Sequence, residues 1–305
     1  MIHTYISVLL FAVAHLTFAT TGNVWEVTTF AGTSITVPEG NAVIGTEGTA
    51  VISPEGNAVP ATEGIIVISP EAPAPLTGKA DCSSCTIYRG YISGNMELWK
   101  KGMQELQEQF SRSKDPCILY TLAEARYGYI GYYLGRDEKD AAKPLVETFA
   151  GEIEQLASFP EYRAEAEAFR LALLGFRMGL NPARAVTLGP KALKQLETAM
   201  AVGQSTAVTW IEKANSEAHM PAFAGGSKEK AAASFREALR LFETGTGPSE
   251  CSWRYLNTMV LLGQLLERMD DYSGAREAYL RALKREPGFQ WVRDELLPAV
   301  EKKLK

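Results

Sequence analysis

The stretch Leu256 to Phe289, LNTMVLLGQLLERMDDYSGAREAYLRALKREPGF, decides the reading of this chain. Its apolar residues recur at helical spacing on both sides of Asp271-Tyr272, which predicts helices over Ser249 to Met269 and Ser273 to Arg285 joined by a short turn. Gly263, Ala275 and Ala282 are small enough for two helices to approach closely. Tyr279 is large enough to fill the groove between neighbours, and Pro287 stops the second helix.

The same punctuation extends back to Asn95, where Leu98, Trp99, Met103, Leu106 and Phe110 make one apolar stripe. Further helices are expected over Asn95 to Ser111, Pro116 to Leu134, Glu138 to Ser158, Glu161 to Met178, Pro190 to Val202, Ser205 to Ala218, Ser227 to Glu243 and Gln290 to Lys303. Pro116 and Pro190 fit the first turns of their helices. With no strand signal among these segments, the body is expected to be all-α and made of stacked antiparallel hairpins.

The spacing of Leu262-Gly263, Leu266, Asp271-Tyr272, Ala275, Tyr279, Ala282 and Pro287 resembles a tetratricopeptide repeat. Looser matches lie upstream. Ala231, Phe235 and Ala238 repeat the second-helix spacing, as do Ala192, Leu196 and Ala199, while Gly128 and Gly135 followed by Ala141 resemble a first helix and turn. Met220 to Gly226 and Gly179 to Gly189 lengthen two connections. The likeness spans residues 95–305 and is to exported bacterial tetratricopeptide proteins. It implies an α-α hairpin superhelix, a solenoid whose first helices line a concave groove that holds a partner protein or peptide. Carried onto this sequence, the groove-facing positions are Asn257, Val260, Gln264, Glu267 and Arg268 at one end and Ala125, Tyr129, Tyr132 and Tyr133 at the other. Tyrosine suits recognition because a large contact area ends in a hydrogen-bonding tip. Tyrosines at helical spacing equally suit the core between hairpins, and Glu124 and Arg126 suit solvated or paired positions.

Ahead of the helical body the composition changes. The 305 residues carry a net charge of −5, yet residues 1–85 hold one basic residue, Lys79, against seven acidic ones, leaving about +1 for the rest. No basic surplus exists for a nucleic-acid backbone. Met1 to Ala19 has a signal-peptide apolar run, from Ile6 to Phe18, too short to span a bilayer, with Thr17-Phe18-Ala19 at the cleavage end and no Lys or Arg before it. Export to the periplasm or cell envelope follows. Residues 20–94 form a repetitive segment and linker built on octads, PEGNAVIG from Pro38, TEGTAVIS from Thr46, PEGNAVPA from Pro54 and TEGIIVIS from Thr62, each a turn followed by an extended stretch. Two sixteen-residue coils are few for a solenoid, so the segment is expected to be a β-prone or disordered spacer, or a self-associating unit.

Four cysteines suit an exported chain. Cys82 and Cys85 are spaced for a local disulfide, for thiol exchange, or for a metal site completed by Cys117, His219 or Cys251. A structural bridge is the simplest of these, because no βαβ pattern surrounds the pair. Catalysis has little to stand on. His219 is the lone histidine outside the signal segment, and no GxSxG elbow or phosphate-binding loop occurs. Neither cofactor nor metal is expected. The reading is a non-enzymatic scaffold that binds a protein partner, with a thiol-disulfide factor or an oligomerising prefix as alternatives. The loop with Phe223 and Gly225-Gly226 is a further contact element.

Overall fold

The computed structural model describes residues 24–28, 34–38, 84–244 and 247–305. In the prefix, β1 (Val24–Thr28) and β2 (Ser34–Pro38) pair antiparallel, Val24 opposite Pro38 and Thr28 opposite Ser34. The signal segment, Cys82 and the octads beyond Pro38 lie outside the described residues.

The body is all-α, as expected, and made of successive hairpins. Its helices are α1 (Cys85–Ile92), α2 (Met96–Ser113), α3 (Pro116–Gly135), α4 (Lys139–Leu156), α5 (Arg163–Leu180), α6 (Ala185–Gly203), α7 (Ala207–His219), α8 (Lys228–Glu243), α9 (Trp253–Glu267), α10 (Tyr272–Arg285) and α11 (Leu297–Lys303). Side-chain caps set several starts. Ser84, Asn95, Asp115, Ser252 and Asp271 each accept a hydrogen bond from a first-turn amide of α1, α2, α3, α9 and α10, a contact worth about 1 kcal/mol per helix. Three hairpins turn the same way. Gly94, Asp137 and Asp270 all have positive φ, and the next residue's amide reaches back to Gly90, Tyr133 and Leu266 respectively, closing the first helix with a left-handed cap. The turn after Gly135 thus shares its geometry with the turn between α9 and α10.

The α9–α10 seam matches its reading closely. Tyr279, Ala275, Ala282 and Phe289 are fully buried. A Cβ on Gly263 would stand 2.4 Å from the Tyr279 ring, so glycine is what lets that ring lie against α9. Two expectations change. The helical body begins at Cys85 instead of Asn95, because Ser84 caps a short helix whose Ile87, Tyr88 and Tyr91 are buried. Pro190 sits inside α6 and not in its first turn; the helix starts at Ala185, directly after a 3-10 turn at Pro182–Arg184, so the expected long connection is mostly helix.

Candidate ligand pocket

The first helices of the hairpins were expected to line an open trough. They converge instead. Arg254 on α9 is 1% exposed. Its Nη2 donates to Glu212 Oε1 on α7 at 3.1 Å, and its Nε lies 3.9 Å from Glu124 Oε1 on α3. The guanidinium stacks 4.3 Å from the centre of the Tyr127 ring and 5.4 Å from that of Phe169 on α5. Asn215 on α7 donates to the Tyr127 hydroxyl at 3.2 Å. Burial pushes the carboxyls of Glu124 and Glu212 up, against the pull of Arg254, and pushes the Tyr127 hydroxyl up as well. Four helices are thus held around one cation.

The terminal hairpins close on each other beside it. Tyr91 on α1 donates to Asn257 Oδ1 on α9 at 2.9 Å, and the rings of Trp99 and Trp253 meet edge to face with centres 4.9 Å apart. Cys85, at the start of α1, is bridged to Cys251, just before α9 and 166 residues away. The physical reason for closure is the residue content of the inner faces: Tyr91, Trp99, Tyr127 and Trp253 would leave a large apolar surface in water if the trough stayed open.

What remains of the trough is a pocket, open at its mouth, walled by Tyr91, Trp99, Tyr127, Tyr132, Phe176 and Trp253. Its polar lining comes from Asn215, His219, Asn257 and Arg268. A Cβ on Gly128 would touch both Trp99 and Trp253 at 2.8 Å, so that glycine makes room for the two indoles. Gly131, one turn further on, faces open space, where a Cβ would meet nothing within 4 Å.

His219, the last residue of α7, is the unusual group here. Its Nδ1 lies 2.8 Å from the Asn215 carbonyl oxygen, which can only accept, so Nδ1 carries the proton. Burial pushes the imidazole below its ordinary value against the opposing hydrogen bond to the Asn215 carbonyl, with a smaller push in the same direction from the Arg268 charge, and this favours the neutral ring. Nε2 is then a bare lone pair, buried and without a hydrogen-bond partner. A buried acceptor left unmet costs about 1–3 kcal/mol.

Of the groove positions read from the sequence, Tyr132, Asn257 and Arg268 line the pocket. Val260 and Ala125 are fully buried, and Tyr129 nearly so; Tyr129 receives the Tyr133 hydroxyl at 3.3 Å and stacks on Tyr132, which makes it core and not a contact surface. Tyr133 and Gln264 stand outside the lining, and Glu267 accepts from the Tyr279 hydroxyl, serving the α9–α10 seam. Cys85 is indeed bridged, but to Cys251, so it forms no local bridge to Cys82. That bridge leaves Cys85 no thiol for exchange or for a metal site with Cys82, and Cys117 and Cys251, two of the three residues expected to complete such a site, are disulfide-bonded as well. Among the described residues no cluster of His, Cys, Asp or Glu could hold a metal ion. Phe223 is 66% exposed, on a turn fixed by hydrogen bonds from Ala224 and Gly226 to Pro221. The residues that sequence reading missed as a group are Tyr91, Tyr127, Trp253 and Arg254. Their one visible signal was aromatic density on first helices.

No family model matches the chain, and no curated protein matches it. Among solved structures, the HusA haemophore from Porphyromonas gingivalis is similar, at 18% identity and a TM-score of 0.48, over 63% of this chain and 96% of that one. So distant a likeness assigns neither a family nor a ligand.

Proposed function

We propose that this chain is an exported, non-enzymatic binding protein that receives an aromatic group of its partner in the pocket between α2, α3, α7 and α9. The observation that carries the reading is the pocket itself: Trp99, Trp253, Tyr91 and Tyr132 face one recess on the first-helix side. Such a recess takes a single anchor and not an extended peptide, so the expected scaffold role narrows to recognition through one buried group. The lining carries no carboxylate, thiol or aliphatic hydroxyl beside His219 to form a nucleophile and base pair, which favours binding over turnover. A disulfide across 166 residues suits an oxidising compartment. No helix among the described residues is long and apolar enough to cross a membrane.

The test is fluorescence of Trp99 and Trp253 in the full chain, titrated with aromatic and size-matched aliphatic compounds. The reading expects saturable changes with aromatic compounds alone, ligand recovered unaltered, and loss of the response in Gly131→Leu. That substitution puts a side chain into open pocket space while improving helix propensity. An unchanged response in Gly131→Leu, or none in the parent protein, contradicts it.

A further inference from the structure

We infer that the occupant of the pocket is Phe223 of a second copy of this chain, and that two copies exchange their Phe223 rings across a twofold axis; this rests on the pocket being the binding site. The pocket suits one aromatic group, and Phe223 is the one aromatic among the exposed large apolar side chains of the helical body. The Phe223 knob is also preformed. Ala224 and Gly226 donate their amides to the Pro221 carbonyl, Gly225 donates to that of Ala222 and Ser227 to that of Glu217, so the turn is fixed before any partner arrives. Gly225 has positive φ, and a Cβ on Gly226 would collide with the Met220 carbonyl oxygen, so the turn needs both glycines. Flanked by Ala222, Ala224 and that pair, the ring has no bulky neighbour on its own turn to hinder entry into a recess.

Knob and hole lie side by side. The chain leaves α7 at His219, a lining residue, and Phe223 follows four residues on, its Cα within about 15 Å of that of His219. The far end of the turn is pinned by Lys228, whose Nζ donates to the carbonyl of Arg268, another lining residue, at 2.7 Å. That adjacency selects the symmetry. When a protruding group and its receptor share one patch, a twofold axis beside the patch satisfies both at once, and the assembly closes at two copies. A knob on the far side of the molecule would instead build an open chain. Charge does not oppose the pairing, because Met220 to Ser227 carries no charged side chain and no acidic side chain lines the pocket.

The experiment is sedimentation velocity on the full chain from micromolar to millimolar concentration, with Trp99 and Trp253 emission read on the same samples. The parent is expected to reach a dimer and go no further, its emission changing as the dimer forms. Phe223→Ala trims an exposed side chain and Gly131→Leu fills open pocket space, so each keeps the fold. Each should weaken pairing about 100-fold, tenfold for each of the two rings that lose their seat. Mixing the two variants restores one knob and one hole, so a heterodimer weaker than the parent dimer should return although neither variant pairs alone. A dimer that survives Phe223→Ala, a mixture that stays monomeric, or a parent that grows past two copies overturns the exchange. A parent that stays monomeric while aromatic compounds still saturate its tryptophan response, and Gly131→Leu abolishes that response, overturns this inference and leaves the pocket reading standing. If neither pairing nor that response is seen, both fall.

Discussion

The seam between α9 and α10 and the wall where α3, α7 and α9 meet are built by opposite means. The seam is apolar and local: Gly263 admits Tyr279, and Ala275 and Ala282 close the gap. The wall is polar, aromatic and distant in sequence, with Arg254 drawing on Glu124 and Glu212 and with Nε and Nη1 left without hydrogen bonds. A helical solenoid needs only the first kind of contact to stack. The second kind bends the stack until its ends meet, trading some stability for a shaped recess.

The largest effect should come from the seam. Tyr279→Ala removes a fully buried ring from a close-packed site and should cost about 4 kcal/mol in chemical unfolding; a loss under about 1 kcal/mol would mean the seam relaxes as freely as a surface. Next comes the clamp. The double variant Cys85→Ser, Cys251→Ser should lower stability by about 3 kcal/mol and raise hydrogen exchange in α1 and the start of α9, leaving α5 and α6 as they were. Equal exchange throughout would show that closure does not depend on the bridge.

The smallest effect is a slope. The His219 imidazole titrates below its ordinary value in the folded chain because burial disfavours its charged form. The unfolded chain binds that proton near pH 6.5, so stability is held above about pH 6.5 and lost as pH falls below it. Glu124 and Glu212 act with the opposite sign. Their raised carboxyls take up protons before the unfolded chain does, so acidification is stabilising through them. Both carboxyls are present in His219→Phe. The stability difference between the parent chain and that variant should therefore shift against the parent below pH 6.5, and a pH-independent difference would contradict the neutral, buried assignment.

How much of this was legible follows from the range of the contacts. The α9–α10 hairpin could be read because its small, aromatic and proline positions lie within 34 residues, Leu256 to Phe289. The inner wall could not, since no local spacing ties Arg254 to Glu124 or Tyr91 to Asn257. Helix α1 was hidden by its brevity: Ser84 and Ile87 follow a run of Pro and Gly that reads as linker. The CxxC spacing pointed Cys85 at its neighbour, whereas the fold carries it to Cys251. Three of the groove residues, Tyr132, Asn257 and Arg268, did reach the pocket, because the repeat register placed first-helix positions on the inner side even though the groove closed. His219 was visible as a lone histidine. Its unmet Nε2 was not, for that depends on Asn215 one turn earlier and on the fold around it.

The central claim is that the inner wall closes far enough to hold His219 as a neutral imidazole whose Nε2 is sealed from water. Nitrogen-15 NMR on histidine-labelled full chain reads this directly, because only His3, His15 and His219 contribute. The account predicts that at neutral pH the His219 ring is in the Nδ1–H form. An Nε2–H or doubly protonated ring would contradict it.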